Sequence, residues 1–231
     1  MIYAVGVDIS IAFRKDKYYF RYKGVDFKYV PHYKNGETDD MVCKISVGSS
    51  QPAMYELITE FLAAFAFANN AKVIVHSGIA SNVNAKISDT NIHFSLKRSI
   101  NVDEGMDEFY YISLLRTPEQ IQLARLYREA FSSNNVYLKI LFFWHCLVYP
   151  STKGSKAVKY IEESIRHSIA HIVRESRDGV NLKLDSWEQM RHLYCIERFM
   201  QVIAKYRLEN EYAMKASNDT NIFRYISENE L

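Results

Sequence analysis

Arg166-His167-Ser168-Ile169-Ala170-His171 puts a permanent cation and two imidazoles within two turns of helix. A guanidinium holds a phosphate as a planar fork, and an imidazole exchanges a proton near neutral pH. The three side chains therefore suit phosphodiester chemistry that needs no metal. Lys159, Arg174 and Arg177 lie on the same segment and, with Lys153 and Lys156, outnumber Glu162, Glu163 and Glu175. They are the candidate holders of a phosphate backbone, the alternative being a solvated charged face. Formal net charge is only +2, so any polyanion contact has to be local.

These groups need a helix to carry them. From Ser155 to Ser176 the sequence has neither Gly nor Pro, and Val158, Ile161, Ile165, Ile169 and Ile172 recur at intervals of three and four. That spacing predicts an amphipathic helix. At about 100° per residue His167, His171 and Arg174 fall opposite the apolar stripe, and Arg166 lies to one side of it. A packing role for two histidines on that face is the bland alternative, and a working surface the sharper one. Around this helix, Thr117 and Pro118 open a helix running to Ser132, with Glu119 and Gln120 in its first turn. After Asn134-Asn135, Val136 to Val148 predicts a nearly all-apolar, buried helix ending before Pro150. Asp178-Gly179 stops the motif helix, and Ser186 caps a last helix to about Tyr206, with Gln189 in the capping-box position. Helices on short connections make a bundle.

Arg, a polar residue, three further residues and His, carried on a helix with helices on either side, resembles the signature of the HEPN superfamily. Arg166, His167 and His171 match it position by position. More loosely, Leu123-Ala124-Arg125-Leu126-Tyr127-Arg128-Glu129-Ala130 with Ser133-Asn134-Asn135 resembles the start of Apea-like and MauJ-like members. The likeness covers roughly Thr117 to Tyr212. It departs at Val173, where some toxin members carry a Tyr, so nothing that depends on that Tyr transfers. The resemblance implies a four- or five-helix bundle and a metal-independent endoribonuclease of the toxin or antiviral-defence type. An RNA 2′-hydroxyl would attack its own phosphodiester. His171 would act as general base, or alternate acid and base with a second His. Arg166 would stabilise charge on the phosphorane oxygens, and His167 would orient the pair or move the second proton. Products would be a 2′,3′-cyclic phosphate and a 5′-hydroxyl.

Arg166 and His171 lie about 140° apart around a helix, so one copy makes a sparse site. The resemblance implies a homodimer through the helical domain, and a protein partner or antitoxin is a further expectation. A non-catalytic HEPN-like module binding a nucleotide, RNA or protein is the alternative reading.

Met1 to about Phe109 reads differently. Ile2 to Ile11, Tyr18 to Tyr22, Val25 to Val30, Met41 to Val47, Val73 to Ser77 and Ile92 to Leu96 are β-rich, with Lys23-Gly24 and Asn35-Gly36 at hairpin positions. One amphipathic helix is expected from Ala53 to Asn69. The expected fold class is α+β: a small, β-rich mixed domain of unknown role over 1–105, then an all-α HEPN-like bundle over 106–231, with the boundary in Asn101 to Met106. Tyr18, Tyr19, Phe20, Tyr22, Phe27, Tyr29 and Tyr33 interleave with Lys15, Lys17, Arg21, Lys23 and Lys28. They read either as a stacking platform for single-stranded nucleic acid or as sheet core with a wet face.

Cys43, Cys146 and Cys195 are odd in number and form no C-x-x-C pair, as expected of reduced thiols in the cytoplasm. Asp8 and Arg14-Lys15 interrupt any leader-like start, and no apolar run is long enough to span a membrane. His167 and His171 could grip a metal only with help from His145, Cys146, His192 or Cys195, and no H-E-x-x-H, P-loop, serine elbow or dinucleotide fingerprint is present. No metal and no cofactor is expected, and His76 and His93 read as structural.

Overall fold

The structure, a computed structural model, describes residues 2–32, 39–44, 50–81, 108–109, 112–149, 187–217 and 219–230. Period-two alternation in the amino-terminal third becomes strands β1 (Ile2–Ile9), β2 (Tyr18–Tyr22), β3 (Val25–Val30) and β4 (Asp39–Lys44). Helix α1 (Gln51–Asn69) follows, then β5 (Val73–Ser81) and a two-residue strand β6 (Ile112–Ser113). Helices α2 (Pro118–Ser132), α3 (Val136–Val148) and α4 (Trp187–Asn210) come next. Short strands β7 (Ala216–Ser217) and β8 (Phe223–Tyr225) and a single 3-10 turn at Glu228–Glu230 complete the described elements. The fold is α+β.

Six strands form one antiparallel sheet in the order β5-β1-β4-β3-β2-β8, and β6 pairs with β7. Lys23 and Gly24, both at positive φ (48° and 78°), make the two-residue turn that joins β2 to β3 with Tyr22 opposite Val25. Tyr3, Val5, Val7 and Ile9 of β1, Tyr18, Phe20 and Tyr22 of β2, Phe27 and Tyr29 of β3, and Met41 and Cys43 of β4 are all buried. Helix α1 lies against this set: the Phe61 ring is 4.7 Å from Phe20 and 5.3 Å from Tyr22, and Phe65 is 6.1 Å from Phe13.

Ser50 caps α1, its Oγ accepting the Ala53 N–H. The helix is not amphipathic along its whole length: every residue from Phe61 to Phe67 is fully buried, because Phe61-Leu62-Ala63-Ala64-Phe65-Ala66-Phe67 offers no polar side. Three carboxylates sit within this aromatic interior and each accepts a tyrosine hydroxyl. Tyr18 donates to Glu108 (2.6 Å), Tyr22 to Glu60 (2.6 Å) and Tyr29 to Asp39. Arg14, Lys23 and the His32 N–H supply their second partners.

In the helices, Thr117 and Gln120 exchange side-chain-to-backbone hydrogen bonds in a capping box at the start of α2, and Asn135 caps α3. Leu123, Ala124, Tyr127 and Ala130 of α2, Ile140, Phe143, Trp144 and Leu147 of α3, and Leu193, Met200, Ala204 and Leu208 of α4 are buried. Helix α3 has wet positions, however, at Leu138 and His145. Arg207, itself buried, donates to the carbonyls of Cys146 and Leu147, two of the orphan acceptors at the end of α3, while its Nε meets Glu211 at 2.7 Å.

Contacts divide the chain into Met1–Arg116 with Lys215–Leu231, and Thr117–Met214. The boundary expected near residue 105 reflects where composition changes, whereas the contacts place it at Arg116/Thr117 and return the last segment to the sheet. The reason is Phe223, whose ring stacks 5.4 Å from Phe20 and 6.1 Å from Phe61 as β8 pairs with β2.

Candidate functional site

Arg166, His167 and His171, with Lys159, Arg174 and Arg177, lie in the connection between α3 and α4, outside the described residues; His93 and the expected strand Ile92 to Leu96, between β5 and β6, are also outside them. What the structure places are the flanks. Helices α2 and α3 pack together, α3 packs against α4, and α4 presents its Leu193–Met200–Ala204–Leu208 stripe inward.

Roughly half a turn away, α4 has a second apolar stripe with no described cover. Tyr194 is 52% exposed, Phe199 56%, Val202 62% and Tyr206 69%. Exposure of that degree is ordinary for one residue and unusual for four that share a face about 140° wide on one helix. A cavity of about 570 Å³ is bordered here by Arg191, Tyr194, Cys195, Arg198, Phe199 and Val202. Arg191, His192 and Arg198 are exposed on this side. Between Arg191 and Tyr206 the helix has one acid, Glu197, and it lies on the opposite side, 3.7 Å from Lys139 of α3. The face is therefore apolar and cationic. Sequence reasoning missed it, although the signal was present as two apolar stripes on a single helix.

The interleaved aromatic and basic residues of β2 and β3 resolve the other way. Tyr18, Phe20, Tyr22, Phe27 and Tyr29 are buried to 2% exposure or less, so they are core and not a stacking platform. On the other side of these strands Arg21 pairs with Asp26, and Tyr19 donates to Glu228, which pushes the Tyr19 phenol up to about 12.

His76 has a carboxylate partner. Its Nε2 lies 2.9 Å from Asp8, and His32 Nε2 lies 3.0 Å from Asp40. Asp40 is opposite Gly6 on β1, and β5 has a bulge beside Gly6, between the Val5–Gly78 and Val7–Val75 pairs. Bulges re-aim side chains, and a strand glycine leaves backbone open to close approach. Two imidazole–carboxylate pairs thus flank one glycine on adjacent strands.

The thiols separate by burial. Cys43 is pushed up to about 11 by burial, and burial also pushes Cys146 up while its Sγ donates to the Leu123 carbonyl at 3.8 Å. That occupied, buried thiol does not fit the metal set with His145, His192 and Cys195 that the sequence allows, and Cys195 alone of the three is exposed. Among the described residues, no group of three or more His, Cys, Asp or Glu is placed to hold a metal ion, and no helix is long and apolar enough to cross a membrane.

The chain matches no protein-family model, no curated protein and no solved structure.

Proposed function

We propose that the protein is a HEPN-type endoribonuclease that cleaves RNA without a metal. The observation that carries the reading is Arg166-His167-x-x-x-His171, set between α3 and α4 in a unit whose described residues before and after it are helical. In this reading His171 takes the proton from an RNA 2′-hydroxyl, Arg166 neutralises the phosphorane oxygens, and His167 orients the pair or delivers the second proton. Lys159, Arg174 and Arg177 hold neighbouring phosphates. A second copy of the chain, joined through the helical unit, completes the site with its own Arg and His pair. The sheet-bearing unit positions or senses the substrate, and the setting is a cytoplasmic toxin or defence effector, with an antitoxin as the natural protein partner.

Purified full-length protein, with a chelator present, should cleave RNA to products ending in 2′,3′-cyclic phosphate. Arg166→Ala or His171→Ala should lower that rate roughly 100- to 10,000-fold. A dimeric, folded wild type that cleaves no RNA offered to it would overturn the reading in favour of a non-catalytic binding module.

A further inference from the structure

We infer that the exposed face of α4 is a docking surface for single-stranded RNA, with Tyr194, Phe199 and Tyr206 receiving bases and Arg191 and Arg198 receiving phosphates. The inference rests on the RNA reading above and names where its substrate lies. The four exposed apolar residues span Tyr194 to Tyr206, which at 1.5 Å per residue is roughly 18 Å of helix, long enough for a few nucleotides.

Three properties of the face select this occupant. Its large residues are chiefly flat and aromatic, and rings that protrude from a helix accept a base on their faces whatever its sequence. Its charged groups between Arg191 and Tyr206 are cations on the exposed side, since the single acid there is turned toward Lys139. The cavity bordered by Tyr194, Arg198 and Phe199 has an almost wholly apolar lining, which gives the flat face of a base somewhere to enter.

A second copy of the chain fits less well. A two-fold contact on this face would bring Arg191 and Arg198 of both copies together with Glu209, beyond Tyr206 and already 3.8 Å from Lys205, as the acid on that side, and an excess of like charge is repulsive. A phosphodiester strand supplies the missing anion and the stacking partner together.

The test uses full-length protein carrying His171→Ala, so that probe is bound and not consumed, and a fluorescein-labelled single-stranded RNA of mixed sequence read by anisotropy. Phe199→Ala and Tyr206→Ala should each weaken binding roughly tenfold. Arg191→Ala with Arg198→Ala should weaken it further and lower the slope of log affinity against log salt by roughly 1.4. Lys215→Glu, an exposed cation of the other unit, should leave affinity unchanged. Because the substituted positions are exposed, melting temperatures should stay at the parent value.

Affinities within twofold of the parent for all α4 variants would overturn the inference, as would a parent that binds no RNA. So would a shift from dimer to monomer in sedimentation with RNA affinity unchanged, which would make the face a protein interface. The two readings fail separately. A wild type that cleaves RNA while the α4 variants bind normally removes the docking surface and keeps the nuclease. A chain that never cleaves, yet loses RNA binding with the α4 substitutions, keeps the docking surface and removes the nuclease.

Discussion

Individual side chains here are distinguished by what burial does to their protons. Burial, reinforced by the neighbouring Glu108 and Glu60 carboxylates, raises Tyr18 and Tyr22, and burial also raises Tyr127. A phenol whose folded pKa is raised holds its contribution fully below the unfolded pKa of about 10 and loses it as pH climbs beyond that value. The tyrosine contribution to stability should therefore be constant through neutral pH and fall on the alkaline side. The last phenolate absorbance should then appear together with the loss of circular dichroism. A folded protein with every tyrosine ionised would contradict this. The thiols obey the same physics. Cys195 should react within minutes with a thiol reagent at about pH 8, while Cys43 and Cys146 should wait for unfolding. Mass spectrometry of the labelled chain should find one adduct in wild type and none in Cys195→Ser.

Among the elements, α1 and the end of α3 have the clearest energetic roles. Phe61 stands in ring contact with Phe20, Tyr22, Phe27, Phe109 and Phe223, so Phe61→Ala should lower unfolding free energy by roughly 3–5 kcal/mol in a denaturant titration. Arg207→Met removes the donors to the Cys146 and Leu147 carbonyls and should cost roughly 1.5–3 kcal/mol, measured the same way. The elements that local sequence foretells are those whose signals are local. β2, β3, α2 and α3 begin and end where alternation, the Lys23-Gly24 turn and the Thr117 and Asn135 caps require. What stayed hidden depends on distance along the chain. Nothing near Phe223 announces a strand, because its partner is Tyr22, and nothing near His76 announces Asp8. The burial of α1 on every side from Phe61 to Phe67 is legible only once that segment's lack of polar positions is set against the sheet it covers. Of the candidate site, the hexapeptide lies outside the described residues and stays an expectation from residue types, while the second stripe of α4, present in the sequence, is told from the core stripe once Leu193, Met200 and Leu208 are seen to be buried on the opposite side.

At the scale of the molecule, the sheet-bearing unit is built from two separated stretches of chain, with Thr117–Met214 running between β6 and β7. A chain ended after Met214 would lose β8 and the Phe223 ring. Hydrogen exchange in β2 should then rise toward that of an edge strand, while amides protected to the full-length level would show that β8 is dispensable. The same arrangement sets a delay during synthesis. About 200 residues separate Tyr22 from its partner Phe223, and at roughly 5–20 residues per second the ribosome needs some 10–40 s to deliver the second after the first. Through that interval the rim of β2 and the sides of the Phe20 and Phe61 rings that Phe223 meets stay uncovered, whereas α2, α3 and α4 come from one uninterrupted stretch. The nascent protein is thus most vulnerable to association at β2, and a holdase that recognises aromatic strand edges would matter most in those seconds.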